Sequence, residues 1–315
     1  MPIGLAKTEI VALVLECCFF GIYTTLFWIT LWILFTKSCT GSTSRPLVLT
    51  VFCMYILAIV HVSIDVHRAV AAFVDDANTP AGSMTVYGQL NSASEVAKTA
   101  IYAVQTILAD SFCVWRCYIV WRKSWVIIIL PVFMVLGTAV ATSGVCWVLS
   151  HAKPGELVFE SVLVPWITSS FVMTLVTNII CTAMIAFRIW QSQQRFKEAR
   201  ATSRLFPVMV MIIESGAIYS SALISVIATY ATGNNAQYII VDFVPSLIGI
   251  VFAMIIVRVG LGISSNGSQL TQSQSRKALT VQSFPGARSY QDTNGHYSMK
   301  ALPISVDVHQ ESTTY

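Results

Sequence analysis

The chain has 315 residues, of which 55% are hydrophobic and only 11% charged, and its mean hydropathy is +0.70. A soluble domain carries about 25% charged residues. So few charges cannot cover the surface of a soluble fold this size, so that class is excluded. Lipid is the expected solvent, and no nucleic-acid partner is expected.

A membrane-spanning helix needs about 20 mainly apolar residues. The first such run, Ile10 to Phe35, is broken only by Glu16. It is longer than the roughly 7–15 apolar residues of a signal peptide and has no small-residue cleavage site after it, so it reads as a retained span. The second run begins after Pro46 and ends near Arg68. The third, Glu95 to Trp121, is interrupted by Lys98, Asp110 and Arg116. The fourth, Trp125 to Leu149, and the fifth, Ser161 to Phe187, contain no charge. The sixth, Leu205 to Ala231, holds Glu214, and the seventh, Tyr238 to Ile263, holds Asp242 near its start and Arg258 near its end.

The expected fold class is therefore all-α, a seven-transmembrane helix bundle. Lys and Arg concentrate on the cytoplasmic side of membrane proteins. Fifteen of the 19 basic residues lie near the ends of spans one, three, five and seven or in the segments after them, while Lys7, Arg68, Lys98 and Lys153 fall on the other side. This places the N-terminus outside and the C-terminus in the cytoplasm. Residues 1–9 form a short extracellular segment and 10–263 the helical domain. Residues 264–315 form a Ser/Thr-rich tail, expected to be disordered because it has too little apolar surface to offset its ordering entropy. Seven of the eight cysteines (Cys17, Cys18, Cys53, Cys113, Cys117, Cys146 and Cys181) fall inside spans and Cys39 in a loop, which is not a disulfide framework. The protein is expected to be integral and multi-pass, with the plasma membrane as the default location.

Ionisable residues inside a membrane are functional candidates by default. Glu16, Asp65 and Asp242 lie in the outer parts of spans one, two and seven, which are neighbours in a seven-helix bundle. Together they are a candidate pocket favouring a cation or amine. Asp110 and Glu214 lie nearer mid-membrane and, with Asn178, are candidate members of an internal polar relay; Thr174 and Ser215 are further hydrogen-bond candidates. At the inner end of span three, Arg116 can snorkel to headgroups. Tyr118 and Trp121, with Trp115 and Trp125, form an aromatic belt or, with Arg258, a cytoplasmic lock. The basic stretch Arg188 to Arg204 after span five is helix-compatible and, with the tail, is a candidate surface for a cytoplasmic signalling protein or anionic lipid. Small residues such as Gly137, Ala141, Gly249 and Ala253 recur at four-residue spacing and let helices approach.

The runs Trp115-Arg-Cys-Tyr-Ile-Val-Trp121, Tyr219-Ser-Ser-Ala-Leu, Pro245-Ser-Leu-Ile-Gly-Ile-Val-Phe and Ile256-Val-Arg-Val-Gly-Leu-Gly262 resemble those of a large group of seven-span proteins of mushroom-forming (basidiomycete) fungi. The resemblance covers residues 10–263 and implies a receptor-like topology, with no agreed biochemical activity attached. The layout also resembles G-protein-coupled receptors. However, Trp115 stands where their acidic residue precedes Arg, Cys117 separates Arg116 from Tyr118, and span seven lacks Asn-Pro-x-x-Tyr, so G-protein coupling is not implied.

The leading functional expectation is a receptor-like sensor of unknown ligand. The alternatives are a cation- or proton-coupled transporter using Asp110 and Glu214, and a non-catalytic membrane scaffold. An enzyme is not expected. His61, His67 and His151 are the only histidines near spans, no His-Glu-x-x-His pattern or membrane Lys on span seven occurs, and no soluble-cofactor motif is present, so neither a metal nor a cofactor is expected.

Overall fold

The computed structural model describes residues 5–38, 45–75, 86–89, 91–152, 162–198, 206–233 and 236–257. Arg258, the tail 264–315, Cys39 and the end of the basic stretch after span five lie outside these.

Seven helices in the described residues are long and apolar enough to cross a membrane, which makes this a multi-pass membrane protein. We number them α1 (Leu5–Ser38), α2 (Arg45–Val70), α3 (Ala93–Val120), α4 (Trp125–His151), α5 (Leu163–Glu198), α6 (Phe206–Ala231) and α7 (Ala236–Val257). Helix α2 continues as a π-helical turn, Ala71–Asp75, so it passes well beyond Arg68, where the sequence reading ended it. The reason is that Arg68 is buried and paired rather than hydrated at a span end. Helix α5 likewise runs past Phe187 into the basic stretch, as far as Glu198.

The helix ends follow from local chemistry. Ser92-Ala-Ser-Glu95 has the spacing of a capping box, and the Ser92 hydroxyl accepts the Glu95 backbone N–H at 3.3 Å to start α3. Between α3 and α4 the chain reverses through Arg122 (φ 53°) and Lys123 (φ 63°), both in the left-handed region that few side-chain-bearing residues adopt.

The surface is the inverse of a soluble protein's. Trp32, Phe35, Trp125, Val126, Phe133 and Trp147 face outward, whereas Thr30, Gln105, Thr106, Thr138 and Asn178 are buried. In lipid every buried polar group needs an internal partner. Thr30, Thr138, Thr142 and Thr177 meet this need by bonding the carbonyl four residues back.

Helix α3 is the hub. It packs on α2, α4 and α5 and reaches α7 through the Phe112–Phe252 ring pair and a bond of 2.7 Å from the Gln105 amide to the Pro245 carbonyl. Helix α7 closes on α1 where Phe19 stacks on Phe243 at 4.8 Å and Gly249 lies against the Tyr23 ring. The main hydrophobic core, which includes Phe27, Met54, Phe112, Phe171, Leu223 and Ile248, draws on α1, α2, α3, α5, α6 and α7.

Candidate functional site

One end of the bundle, where α1, α3, α5 and α7 begin, holds a buried charge cluster. Helical periodicity puts residues three and four apart on one face. On α2 this aligns His61, Asp65 and Arg68, and on α3 it aligns Glu95 and Lys98. Helix α1 brings Glu9 and Glu16 to the same end, and α7 brings Asp242.

Lys98 is the centre. Its Nζ donates to Asp65 Oδ1 at 2.7 Å and to Asp242 Oδ1 at 2.6 Å, so one ammonium ties α2, α3 and α7 together. His61 Nδ1 lies 2.6 Å from Glu16 Oε1 and 3.4 Å from Asp65 Oδ2, joining α1 to α2. Arg68 Nη1 pairs with Glu95 Oε2, so the carboxylate that could close the capping box of α3 on itself is used between helices. The Arg68 guanidinium also sits 5.3 Å above the Tyr87 ring. Burial, reinforced by the Glu9 carboxyl, pushes the Tyr87 phenol up to about 12 against the opposing effect of Arg68, so Tyr87 meets the cluster as a neutral donor.

Part of the cluster forms the polar wall of a cavity of about 130 Å³. Glu9, Arg68, Glu95, Lys98 and Asp242 line one side, and Tyr102, Ile167, Phe171, Val226 and Tyr230 supply an apolar, aromatic side from α3, α5 and α6. Polar groups on one wall facing an apolar body is the usual composition of a ligand site. Five carboxyls (Glu9, Glu16, Asp65, Glu95 and Asp242) share this end with two basic side chains, Arg68 and Lys98, and the imidazole of His61.

A second, smaller cavity of about 50 Å³ lies further along α3, lined by Asp110, Arg116, Asn178, Tyr219 and Phe252 among others. Asp110 Oδ2 accepts the Thr174 hydroxyl at 2.6 Å, and Thr174 lies 3.4 Å from the Tyr219 hydroxyl. The Asn178 amide donates to the Gly216 carbonyl at 3.0 Å and to Ser220 at 2.8 Å, joining α5 to α6.

The structure brings Asp65 and Asp242 onto one ammonium and connects Glu16 to them through His61; of these three carboxyls Asp242 lines the cavity, while Glu16 and Asp65 lie behind its wall. Asp65 and Asp242 are buried and ion-paired rather than hydrated at a headgroup layer. Asp110 and Asn178 line the same small cavity, whereas Glu214 lies on an exposed face of α6. At the far end of α3, the Arg116 guanidinium lies 5.7 Å from the Phe112 ring and lines the second cavity, folded inward rather than extended outward. Tyr118 packs on Trp125 at 5.1 Å between ring centres. Trp121 Nε1 donates to the Met184 carbonyl at 3.3 Å, with Arg188 5.1 Å above its ring, linking α3 to α5.

The sequence reading did not single out His61, Arg68, Glu95 or Lys98 as site residues. Arg68 and Lys98 sit near the ends of apolar runs, where a hydrated flank is the ordinary expectation. The available signal was the register of His61, Asp65 and Arg68 on one helical face. No family model, curated protein or solved structure matches the chain.

Proposed function

We propose that the protein is a receptor-like sensor, with the N-terminal end of the bundle facing outside and the ligand bound in the charge-lined cavity. The observation that carries this reading is the meeting of a charged wall and an aromatic wall at one end of a seven-helix bundle, with Lys98 joining three helices across it. The resemblance to fungal seven-span proteins of receptor-like topology agrees with it. Because carboxyls outnumber bases on the polar wall, the favoured ligand carries a cationic head and an apolar body. Such a head competes with Lys98 for Asp242, loosening α3 from α7. The change passes down α3, whose far end contacts α5 through Trp121 and lines the second cavity with Arg116.

The placement of the mid-membrane carboxyls favours sensing over transport. A relay through Asp110 and Glu214 needs both on one path, and only Asp110 lines the second cavity.

The test is thermal stability of the full chain in detergent against alkylamines, quaternary alkylammonium ions and matched alkyl carboxylates. A ligand at 100 times its Kd stabilises the native state by about 2.7 kcal/mol. Stabilisation by cationic amphiphiles that is lost in Asp242→Asn supports the reading. Equal responses to cationic and anionic chains, or cation-driven flux in proteoliposomes that Asp110→Asn abolishes, would overturn it.

A further inference from the structure

We infer that Glu16, His61 and Asp65 form a binding site for a zinc-class divalent cation that pins α1 to α2 beside the cavity. Each of the three offers one ligand atom, and these atoms all lie within 4.8 Å of one another. All three side chains are buried, at 0%, 1% and 8% exposure. Two carboxylate oxygens in the group, Glu16 Oε2 and Asp65 Oδ2, have no hydrogen-bond partner. An orphaned buried acceptor is costly, and two on carboxylates that both approach the His61 imidazole point to a missing positive charge.

The geometry suits a small ion. Tetrahedral zinc with N and O ligands at about 2.0–2.2 Å sets its ligand atoms about 3.4 Å apart. The separation of His61 Nδ1 from Asp65 Oδ2 is 3.4 Å. The Glu16 Oε1 edge, at 2.6 Å from Nδ1, is a hydrogen bond that opens by under about 1 Å when a metal replaces the shared proton, a movement within reach of side-chain rotation. One imidazole and two carboxylates are borderline-hard donors, suited to zinc, and a water completes four-coordination. Three protein ligands with one open position is the arrangement of a zinc site that retains an exchangeable ligand.

The electrostatics agree. Lys98 engages the other oxygen of Asp65 and is shared with Asp242, so Asp65 Oδ2 remains turned toward His61. Arg68 and Glu95 cancel each other. Glu16, Asp65 and Asp242 bring three carboxyls together around the single ammonium of Lys98, so a divalent ion supplies positive charge where acidic groups outnumber basic ones. Glu9, at the cavity, adds further attraction. His61 lines the cavity, which provides a path of entry.

This inference does not depend on what the cavity binds. The experiment loads the purified full chain with zinc, dialyses it, and measures metal per chain by plasma mass spectrometry alongside the zinc X-ray absorption edge. The expected result is about one zinc per chain with a nitrogen/oxygen shell, lost in Glu16→Gln and Asp65→Asn and kept in His67→Ala, whose histidine is exposed on the same helix. Less than a tenth of an equivalent in the wild type, a sulfur shell, or full retention in both carboxyl variants would overturn it. Where a variant fails to fold, cobalt titration of the wild type decides. Intense visible bands of four-coordinate cobalt, saturating at one equivalent and displaced by zinc, are expected, and their absence counts against the site.

Discussion

At the scale of single residues, the decisive group is Lys98, because two buried carboxylates depend on it. An ammonium and a carboxylate each cost several kcal/mol to bring out of water, and their mutual attraction offsets that cost only while both are present. Removing Lys98 leaves Asp65 and Asp242 facing one another, uncompensated, in a site that also holds Glu16. Lys98→Met is therefore expected to cost about 3–5 kcal/mol, read as a lowered unfolding midpoint in detergent. Asp242→Asn is expected to cost less, since Asp65 still engages Lys98 at 2.7 Å. The triple variant Asp65→Asn, Lys98→Met, Asp242→Asn should recover most of the loss, because neutral amides of the same shape do not repel. A triple variant as unstable as Lys98→Met alone would show that packing around the Lys98 stem, and not charge, sets the cost. Sequence alone revealed half of this arrangement. Asp65 and Asp242 stood out as acids in apolar runs, and their convergence followed from the adjacency of α2 and α7. Lys98 did not stand out, because hydropathy places it at the start of a span, where a Lys is ordinarily hydrated. What buries it is contact with two helices distant in the sequence.

At the scale of helices, the close approaches depend on glycine in a way that the four-residue spacing only partly signalled. A Cβ on Gly249 of α7 would overlap the Tyr23 ring of α1, and one on Gly216 of α6 would lie 2.7 Å from Thr182 Oγ1 of α5. At Gly137 of α4 the nearest neighbour is the flexible Met173 thioether, with Sδ at 3.5 Å, an ordinary contact. The sequence pattern grouped Gly137 with Gly249, but only the side chain opposite each one separates them. Overpacking a tight contact costs about 1–3 kcal/mol, and Tyr23 is buried and packed against Tyr55. Gly249→Ala should thus lower the melting temperature by several degrees, and Gly137→Ala should leave it nearly unchanged. Combining Gly249→Ala with Tyr23→Leu should relieve part of the penalty. If Gly249→Ala proved neutral, α7 would have to sit further from α1 than the structure places it. The helices themselves were legible throughout, since about 20 apolar residues between polar breaks leave no other structure in lipid. Their ends were less so. Helix α2 outran its apolar stretch because Arg68 and the following π-helical turn find partners inside the protein, a gain that hydropathy does not register.

At the scale of the whole molecule, two asymmetries run along the same axis. The buried groups Glu16, His61, Asp65, Arg68, Lys98 and Asp242, with the half-buried Glu95, gather at the end where α1, α3, α5 and α7 begin. In the sequence, fifteen of the 19 basic residues lie at or after the C-terminal ends of the first, third, fifth and seventh spans. Charges of the first kind are enclosed and paired, so they contribute little to topology. Unpaired Lys and Arg in short flanks are retained on the cytoplasmic side. Arg68 and Lys98 are both ion-paired inside the bundle, so removing them from the count makes the imbalance steeper: fifteen against the remaining two, Lys7 and Lys153. The N-terminal end is therefore expected to face outside, an orientation that would expose the charge-lined cavity to extracellular ligands. The check is a glycosylation acceptor placed on a short polar linker before Met1, compared with one placed after Tyr315, in full-length protein made with microsomal membranes. Near-complete modification of the first and none of the second is expected. The reverse pattern would turn the cavity toward the cytoplasm. A sensor of external ligands would then be untenable, while the zinc site at Glu16, His61 and Asp65, which depends only on side chains within the bundle, would stand or fall on its own measurement.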